Sequence, residues 1–169
     1  MKNKENNFAY IDGQNLNLGV KSMGWNLDFK RFRIYLKEKY GIIKAYYFVG
    51  FVAGNQKLYD ALQEYGYILN FKPVVLGEDK KPKGNIDANL VLKIMIDLNE
   101  NNFDKAVIVT SDGDFYCLAD YLYEKKKLLA VLSPNRAKCS SLLRKSGRER
   151  MAYLDNLKEK LEYKRKSTA

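Results

Sequence analysis

Two aspartates one residue apart, Asp112 and Asp114 in Thr110-Ser111-Asp112-Gly113-Asp114-Phe115, follow directly on the apolar run Ala106-Val107-Ile108-Val109. Such a β-branched run reads as a buried parallel strand, so both carboxylates fall at a strand end. In an open α/β sheet that is where ligands bind. Carboxylates crowded together resist ionising at once unless a cation lies between them, which makes a metal ion the simplest partner. The same order of strand, aspartate and glycine occurs in Phe8-Ala9-Tyr10-Ile11-Asp12-Gly13, followed by Gln14-Asn15-Leu16. A helix N-cap or dipole partner accounts for one of Asp112 and Asp114. It does not account for a second strand ending in the same residue type.

The elements that must position these groups alternate along the chain. Phe29, Phe32, Leu36 and Tyr40 recur at helical spacing up to a stop at Gly41. Ile42 to Val52 reads as a second buried strand, Asn55 as the cap of a helix ending at Gly66, and Tyr67 to Leu76 as a third strand that Pro73 places at an edge or cuts short. Gly77 to Gly84 has no periodicity, holds Lys80, Lys81 and Lys83, and reads as a mobile basic loop. Asn85-Ile86-Asp87 opens the longest apolar helix, with Asp87 in its first turn. There it either complements the helix dipole or joins a site. Asp97, ten residues on, lies about 80° round that helix. Helices over Tyr116 to Lys127 and Ala137 to Lys145 flank a fifth strand, Leu128 to Leu132, and a short apolar segment, Met151 to Leu154, precedes a charged terminal helix over Asp155 to Lys166.

Strands alternating with helices define a three-layer, Rossmann-like α/β fold with a mainly parallel sheet of five or six strands. If strands one and four are neighbours at the point where strand order reverses, Asp12 and Asp112 face one crevice. The expected organisation is a flexible N-terminus over residues 1–7, one domain over 8–154, and a charged helix and tail over 155–169. On the terminal helix, Leu157 and Leu161 leave a homodimer open.

Composition narrows the chemistry. The 169 residues include no histidine, which excludes Ser-His-Asp, Cys-His and His-ligated zinc sites. Cys117 and Cys139 stand alone, without a CxxC partner, and fit a reducing, cytoplasmic setting. No run is long and apolar enough for a membrane span. Of the 30 Lys and Arg residues, 14 lie from Tyr121 onward against 5 of the 20 acidic ones, so the last third carries nearly all of the net charge of +10. A polyanion suits that asymmetry, as does a merely solvated basic face.

Three stretches in this order, Tyr10-Ile11-Asp12-Gly13-Gln14-Asn15-Leu16, Lys83-Gly84-Asn85-Ile86-Asp87 and Val109-Thr110-Ser111-Asp112-Gly113-Asp114-Phe115, resemble the NYN domains of the PIN-like nuclease superfamily, including the LabA-like group. Downstream, Ser133-Pro134 and Ser140-Ser141-Leu142-Leu143-Arg144-Lys145 resemble the end of bacterial members. The resemblance implies a PIN fold, a Mg2+- or Mn2+-dependent acidic site and RNA as substrate and partner. Asp12, Asp87, Asp112 and Asp114 match its acidic site, and Asn15 its polar residue after the first aspartate. Many members carry a further aspartate about two turns after the one matching Asp87; here Lys93 and Ile94 occupy that region and Asp97 comes late.

Hard divalent cations prefer such oxygen ligands. Asp12 and Asp112 are the expected direct ligands, with Asp114 and Asp87 direct or water-mediated. Asn15 and Ser111 would orient water or phosphate, although a turn after the strand explains Asn15 equally well. Lys80, Lys81 and Lys83 with Arg136, Lys138, Arg144 and Lys145 would hold the RNA backbone. Trp25 and Tyr116 are the first candidates for base stacking. The expected function is a metal-dependent ribonuclease, against an RNA-binding adaptor of the same fold with little turnover. A haloacid-dehalogenase-like phosphatase needs a second aspartate where Gln14 stands.

Overall fold

The structure, a computed structural model, describes residues 5–72, 75–76, 82–83 and 86–165, with side chains described outside 73–85. Six parallel strands form the central sheet: β1 (Asn7–Asp12), β2 (Ile42–Gly50), β3 (Tyr67–Lys72), β6 (Ala106–Val109), β7 (Leu128–Ser133) and β8 (Met151–Tyr153). A separate two-stranded antiparallel pair joins β4 (Val75–Leu76) and β5 (Pro82–Lys83). The helices are α1 (Gly13–Lys21), α2 (Phe29–Tyr40), α3 (Gln56–Glu64), α4 (Ile86–Asn99), α5 (Tyr116–Glu124), α6 (Ser141–Gly147) and α7 (Lys158–Leu161).

The strand order is β3-β2-β1-β6-β7-β8. The fourth strand of this sheet, β6, therefore lies beside β1, and the order reverses between them. That is the switch point the sequence pattern requires. All six residues of β1 and all four of β6 are buried, as strands covered on both faces must be.

Alternation along β1 divides the core into two layers. Ala9 and Ile11 pack with Leu16 and Val20 of α1, Phe32 and Leu36 of α2, and Leu161 of α7. Phe8 and Tyr10 face the other way, onto Leu90 and Ile94 of α4, Leu118 and Leu122 of α5, and Leu143 of α6. This period of two along the strand against 3.6 along the helices produces the three-layer arrangement.

Local signals explain most boundaries. Asp28 caps α2 by accepting a bond from the Arg31 amide, and Gly41 ends it with φ of 63°. A left-handed C-cap is the conformation in which glycine avoids a Cβ penalty. Asn55 stands at the cap position of α3 without a side-chain cap bond. β3 stops at Lys72, immediately before Pro73.

Several boundaries differ from the sequence reading. The segment 137–145 is divided: a 3-10 turn, Arg136–Lys138, precedes α6, because Asn135 caps the turn and Ser140 restarts the helix. Met151–Tyr153 is a sixth strand. The terminal helix is only four residues long, following a 3-10 turn over Asp155–Leu157. Its leucines are not a free face: Leu161 is fully buried and Leu157 packs against the same core. Both leucines are covered by this chain's own core.

Residues before Phe8 take part in the packed structure. Asn6 donates its backbone N–H to Asp104 Oδ2 at 2.8 Å and its side-chain amide to the Asn102 carbonyl at 2.8 Å, and Asn7 is the buried first residue of β1. Residues 1–4 and 166–169, and most of the expected basic loop, lie outside the described residues. No helix of the described residues is long and apolar enough to cross a membrane.

Candidate active site

Asp12 closes β1 and opens α1. Its carboxylate caps that helix, accepting the Asn15 amide N–H at 3.1 Å on Oδ1 and the Thr110 hydroxyl at 3.3 Å on Oδ2. Gly13, the first helical residue, lies so close to β2 that a Cβ there would collide with the Tyr47 ring and come within 2.8 Å of the Phe48 carbonyl. Glycine is thus what lets the chain turn into α1 against the neighbouring strand.

The end of β6 is tied to the end of β1 across the switch point. Asn15 Oδ1 accepts the Ser111 amide at 2.7 Å, while Thr110 Oγ1, besides donating to Asp12, accepts the Asp112 amide at 3.1 Å. Ser111 Oγ lies 2.9 Å from Ser133 Oγ at the end of β7. These buried polar groups satisfy one another, so the strand ends form a fixed frame rather than a set of independent loops. Asp112 accepts the Asp114 amide at 2.9 Å, folding Gly113–Phe115 into a 3-10 turn. Gly113 is close to Ser140, whose side chain a Cβ would strike.

α4 brings Asp87 to the same place. One carboxylate oxygen from each of Asp87, Asp112 and Asp114 can lie within 4.8 Å of the others. Asp12 faces the group from a cleft of about 550 Å³ whose lining includes Asp12, Asn15, Asp87, Asp112, Lys138 and Ser140. Asp114 stands at its exposed outer side. Of the four expected ligands, Asp87, Asp112 and Asp114 form the close group, and Asp12, with one hydrogen bond on each oxygen, stands beside them. Each of its oxygens keeps acceptor capacity.

The electrostatics record this crowding. Burial pushes the Asp12 carboxyl up to about 6, and the nearby Asp87 and Asp112 charges add to the shift against the opposing Asn15 and Thr110 bonds. Asp87 is also raised, first by desolvation and then by Asp112 and Asp114, with the Lys72 ammonium acting in the opposite direction. Hard oxygen donors that repel one another in a shared cleft suit a divalent cation, which relieves that repulsion.

The sign of the Asp12 effect gives a test. Its folded pKa lies above the unfolded carboxylate value, so between about pH 4 and 6 the native chain binds the extra proton and stability falls as pH rises. In metal chelator at pH 7.5, Asp12→Asn is expected to gain about 2 kcal/mol and roughly 5 °C in melting temperature. The gain should vanish at pH 4, as differential scanning calorimetry will show. A loss of stability at pH 7.5 would contradict the assigned environment.

The other sequence candidates separate clearly. Asn15 is a positioning residue that joins the two strand ends, and the Ser111 hydroxyl is turned to Ser133 although the residue lines the cleft. Among the basic candidates on the C-terminal side, Lys138 lines the cleft; Arg136, Arg144 and Lys145 are exposed, with the Arg136 guanidinium 4.9 Å from the Tyr153 ring centre. Lys80, Lys81 and the Lys83 side chain lie outside the described residues. Trp25 is 4% exposed within the core and is therefore no stacking platform, while Tyr116 is exposed.

Asp97 does not join the acidic group. It is 1% exposed and accepts bonds from Tyr10 Oη at 2.7 Å, Lys93 Nζ at 2.7 Å and Asn102 Nδ2 at 3.0 Å. Lys72 was not legible as a site residue. A lysine ending an edge strand ordinarily points to water, and its position against Asp87 depends on how β3 and α4 meet.

A doubly wound parallel sheet with four aspartates at its switch point defines an α/β protein with an acidic cleft of the PIN-like kind. The chain matches the NYN domain family over residues 9–154 and belongs to it, which places it in the PIN-like nuclease superfamily. No curated protein matches the chain. A crystal structure of a protein of unknown function from Vibrio parahaemolyticus RIMD 2210633 is similar, with a TM-score of 0.77 and 18% identity over 95% of this chain and 98% of that one. At such identity the likeness speaks for the fold alone.

Proposed function

We propose that this protein is a Mg2+- or Mn2+-dependent endoribonuclease, of the LabA-like group and cytoplasmic, that hydrolyses RNA phosphodiester bonds. The observation carrying the reading is the convergence of Asp87, Asp112 and Asp114 oxygens within 4.8 Å, beside Asp12, in a NYN domain. Asp87, Asp112 and Asp114 would hold the cation, with Asp12 able to share it. A divalent cation held by these residues would supply Lewis-acid chemistry at the phosphodiester.

The chain supplies the remaining requirements. Asn15, Thr110 and Ser133 hold the strand ends so that the carboxylates do not have to reorganise when substrate arrives. Lys138 on the cleft wall offers a charge to the RNA backbone, and the exposed Arg136, Arg144 and Lys145 extend the basic character outward.

Purified protein with Mn2+ or Mg2+ is expected to cut mixed single-stranded and structured RNAs, and the Asp12→Asn, Asp112→Asn double variant is expected not to. Gel analysis of end-labelled RNA reads the result. Equal cleavage by the two proteins would overturn the assignment. Salt-dependent RNA binding without cleavage at any metal concentration would support the adaptor reading instead.

A further inference from the structure

A second cavity, of about 490 Å³, opens beside the acidic cleft; Gln14 and Ile86 line both. Its wall has a different chemistry. Phe29, Tyr47 and Tyr59 are aromatic, Asn17 and Asn55 contribute side-chain amides, and Lys72 contributes an ammonium. Among its described lining residues there is no carboxylate.

The aromatic hydroxyls are already engaged. Tyr47 Oη donates to the Gly13 carbonyl at 3.2 Å, and Tyr59 Oη accepts the Val52 amide at 2.9 Å. Phe29 and Tyr47 are fixed against each other edge to face, with ring centres 5.8 Å apart. Tyr47 and Tyr59 are 3% and 2% exposed and belong to the packed wall, so the ring surface offered to an occupant is that of the partly exposed Phe29, held in a set position.

The polar groups have the opposite property. Lys72 Nζ is shielded from solvent and makes no hydrogen bond among the described residues. An ammonium carries three donors, and leaving a buried one unmade costs more than a surface one. Asn55 does not use its side chain to cap α3, and it remains available to a ligand. A pocket of a few hundred cubic ångströms with an apolar body and a few convergent polar groups has the form of a small-molecule subsite.

The Phe29 ring in an apolar wall, neutral amides presenting a donor and an acceptor together, and one cation match a nucleobase with its adjoining phosphate. We infer that this cavity binds a base of single-stranded RNA next to the phosphodiester in the acidic cleft, with Lys72 donating to that nucleotide. The inference rests on the reading of the acidic cleft as the phosphodiester site. A base held in this cavity has to leave its stack, so the cavity selects unpaired RNA.

The test measures binding apart from cleavage. The Asp112→Asn protein in metal chelator is titrated into a fluorescein-labelled hexaribonucleotide and into the same oligomer with abasic ribose at its internal positions, with fluorescence anisotropy as the readout. The two probes carry the same phosphates. The abasic probe is expected to bind about tenfold more weakly, in line with the loss of base stacking. Adding Lys72→Met or Asn17→Leu should weaken the intact probe severalfold and shrink the difference between the probes. Equal affinity of both probes for the unmodified cavity would overturn the inference, and cleavage by wild type with Mn2+ would then leave the nuclease reading standing. Base-dependent binding with no cleavage by wild type would sustain the cavity and overturn the nuclease reading.

Discussion

Asp112→Asn alone is expected to lower Mn2+-dependent RNA cleavage about a thousandfold while the protein stays folded. Asp112 is the member of the trio closest in chain connectivity to the fixed frame: its amide is held by Thr110 and its carboxylate holds the Asp114 amide. Asparagine keeps an oxygen for that second bond, so the turn at Gly113 is preserved. What is lost is one negative charge from the group that would hold the cation. Lewis-acid catalysis of this kind contributes several kcal/mol, and about 4 kcal/mol corresponds to roughly three powers of ten in rate. Cleavage kinetics under single-turnover conditions read the effect, and circular dichroism reads the fold. Retention of more than a tenth of wild-type cleavage would show that Asp112 does not hold the metal.

Asp97→Ala is expected to have the largest effect on stability, a loss of about 3 kcal/mol and roughly 6–12 °C in melting temperature. Tyr10, fully buried, would lose the acceptor for its hydroxyl, and Lys93, partly exposed, would lose its ion-pair partner. The second loss is moderated because Lys93 can reach water. Asp97→Asn keeps an acceptor and is expected to cost about 1 kcal/mol. Desolvation pushes the Asp97 carboxyl up, yet the bonds from Lys93, Asn102 and Tyr10 outweigh it and hold the group below its ordinary value. Its contribution is therefore present above about pH 4 and is lost as acid titrates the folded carboxylate. Asp12 behaves in the opposite sense. Chemical denaturation of both variants at pH 7 and pH 3 separates the two effects, and an Asp97→Ala protein as stable as wild type at pH 7 would refute the role.

The contrast between these aspartates shows what the sequence discloses. Asp12 and Asp112 were legible because each ends a run of buried β-branched or aromatic residues, and parallel topology brings such ends together. Asp87 was legible from its local pattern only as a helix opening, and as a site residue through the family resemblance. Its convergence on Asp112 and Asp114 depends on how α4 packs, which no local pattern fixes. Asp97 shares that helix, and its separation from Asp87 round the axis does not reveal that Tyr10, 87 residues away in sequence, supplies its partner. Leu157, Leu161 and Trp25 were misread for the same reason: their neighbours are distant along the chain. The second cavity was hidden more completely, since its walls come from α1, α2, β2, α3, β3 and α4 and each contributes residues that alone look like core or surface.

The region around Leu161 gives the chain a clasp. Leu27 and Glu162 form an antiparallel bridge, the Asp28 amide donates to the Leu161 carbonyl at 2.8 Å, and the Tyr163 amide donates to the Asn26 carbonyl at 2.8 Å. These bonds fasten the connection between α1 and α2. The family match ends at residue 154, but the packed core extends past it to Leu161. A protein cut at that boundary would expose the apolar bed around Trp25, Leu27 and Tyr35.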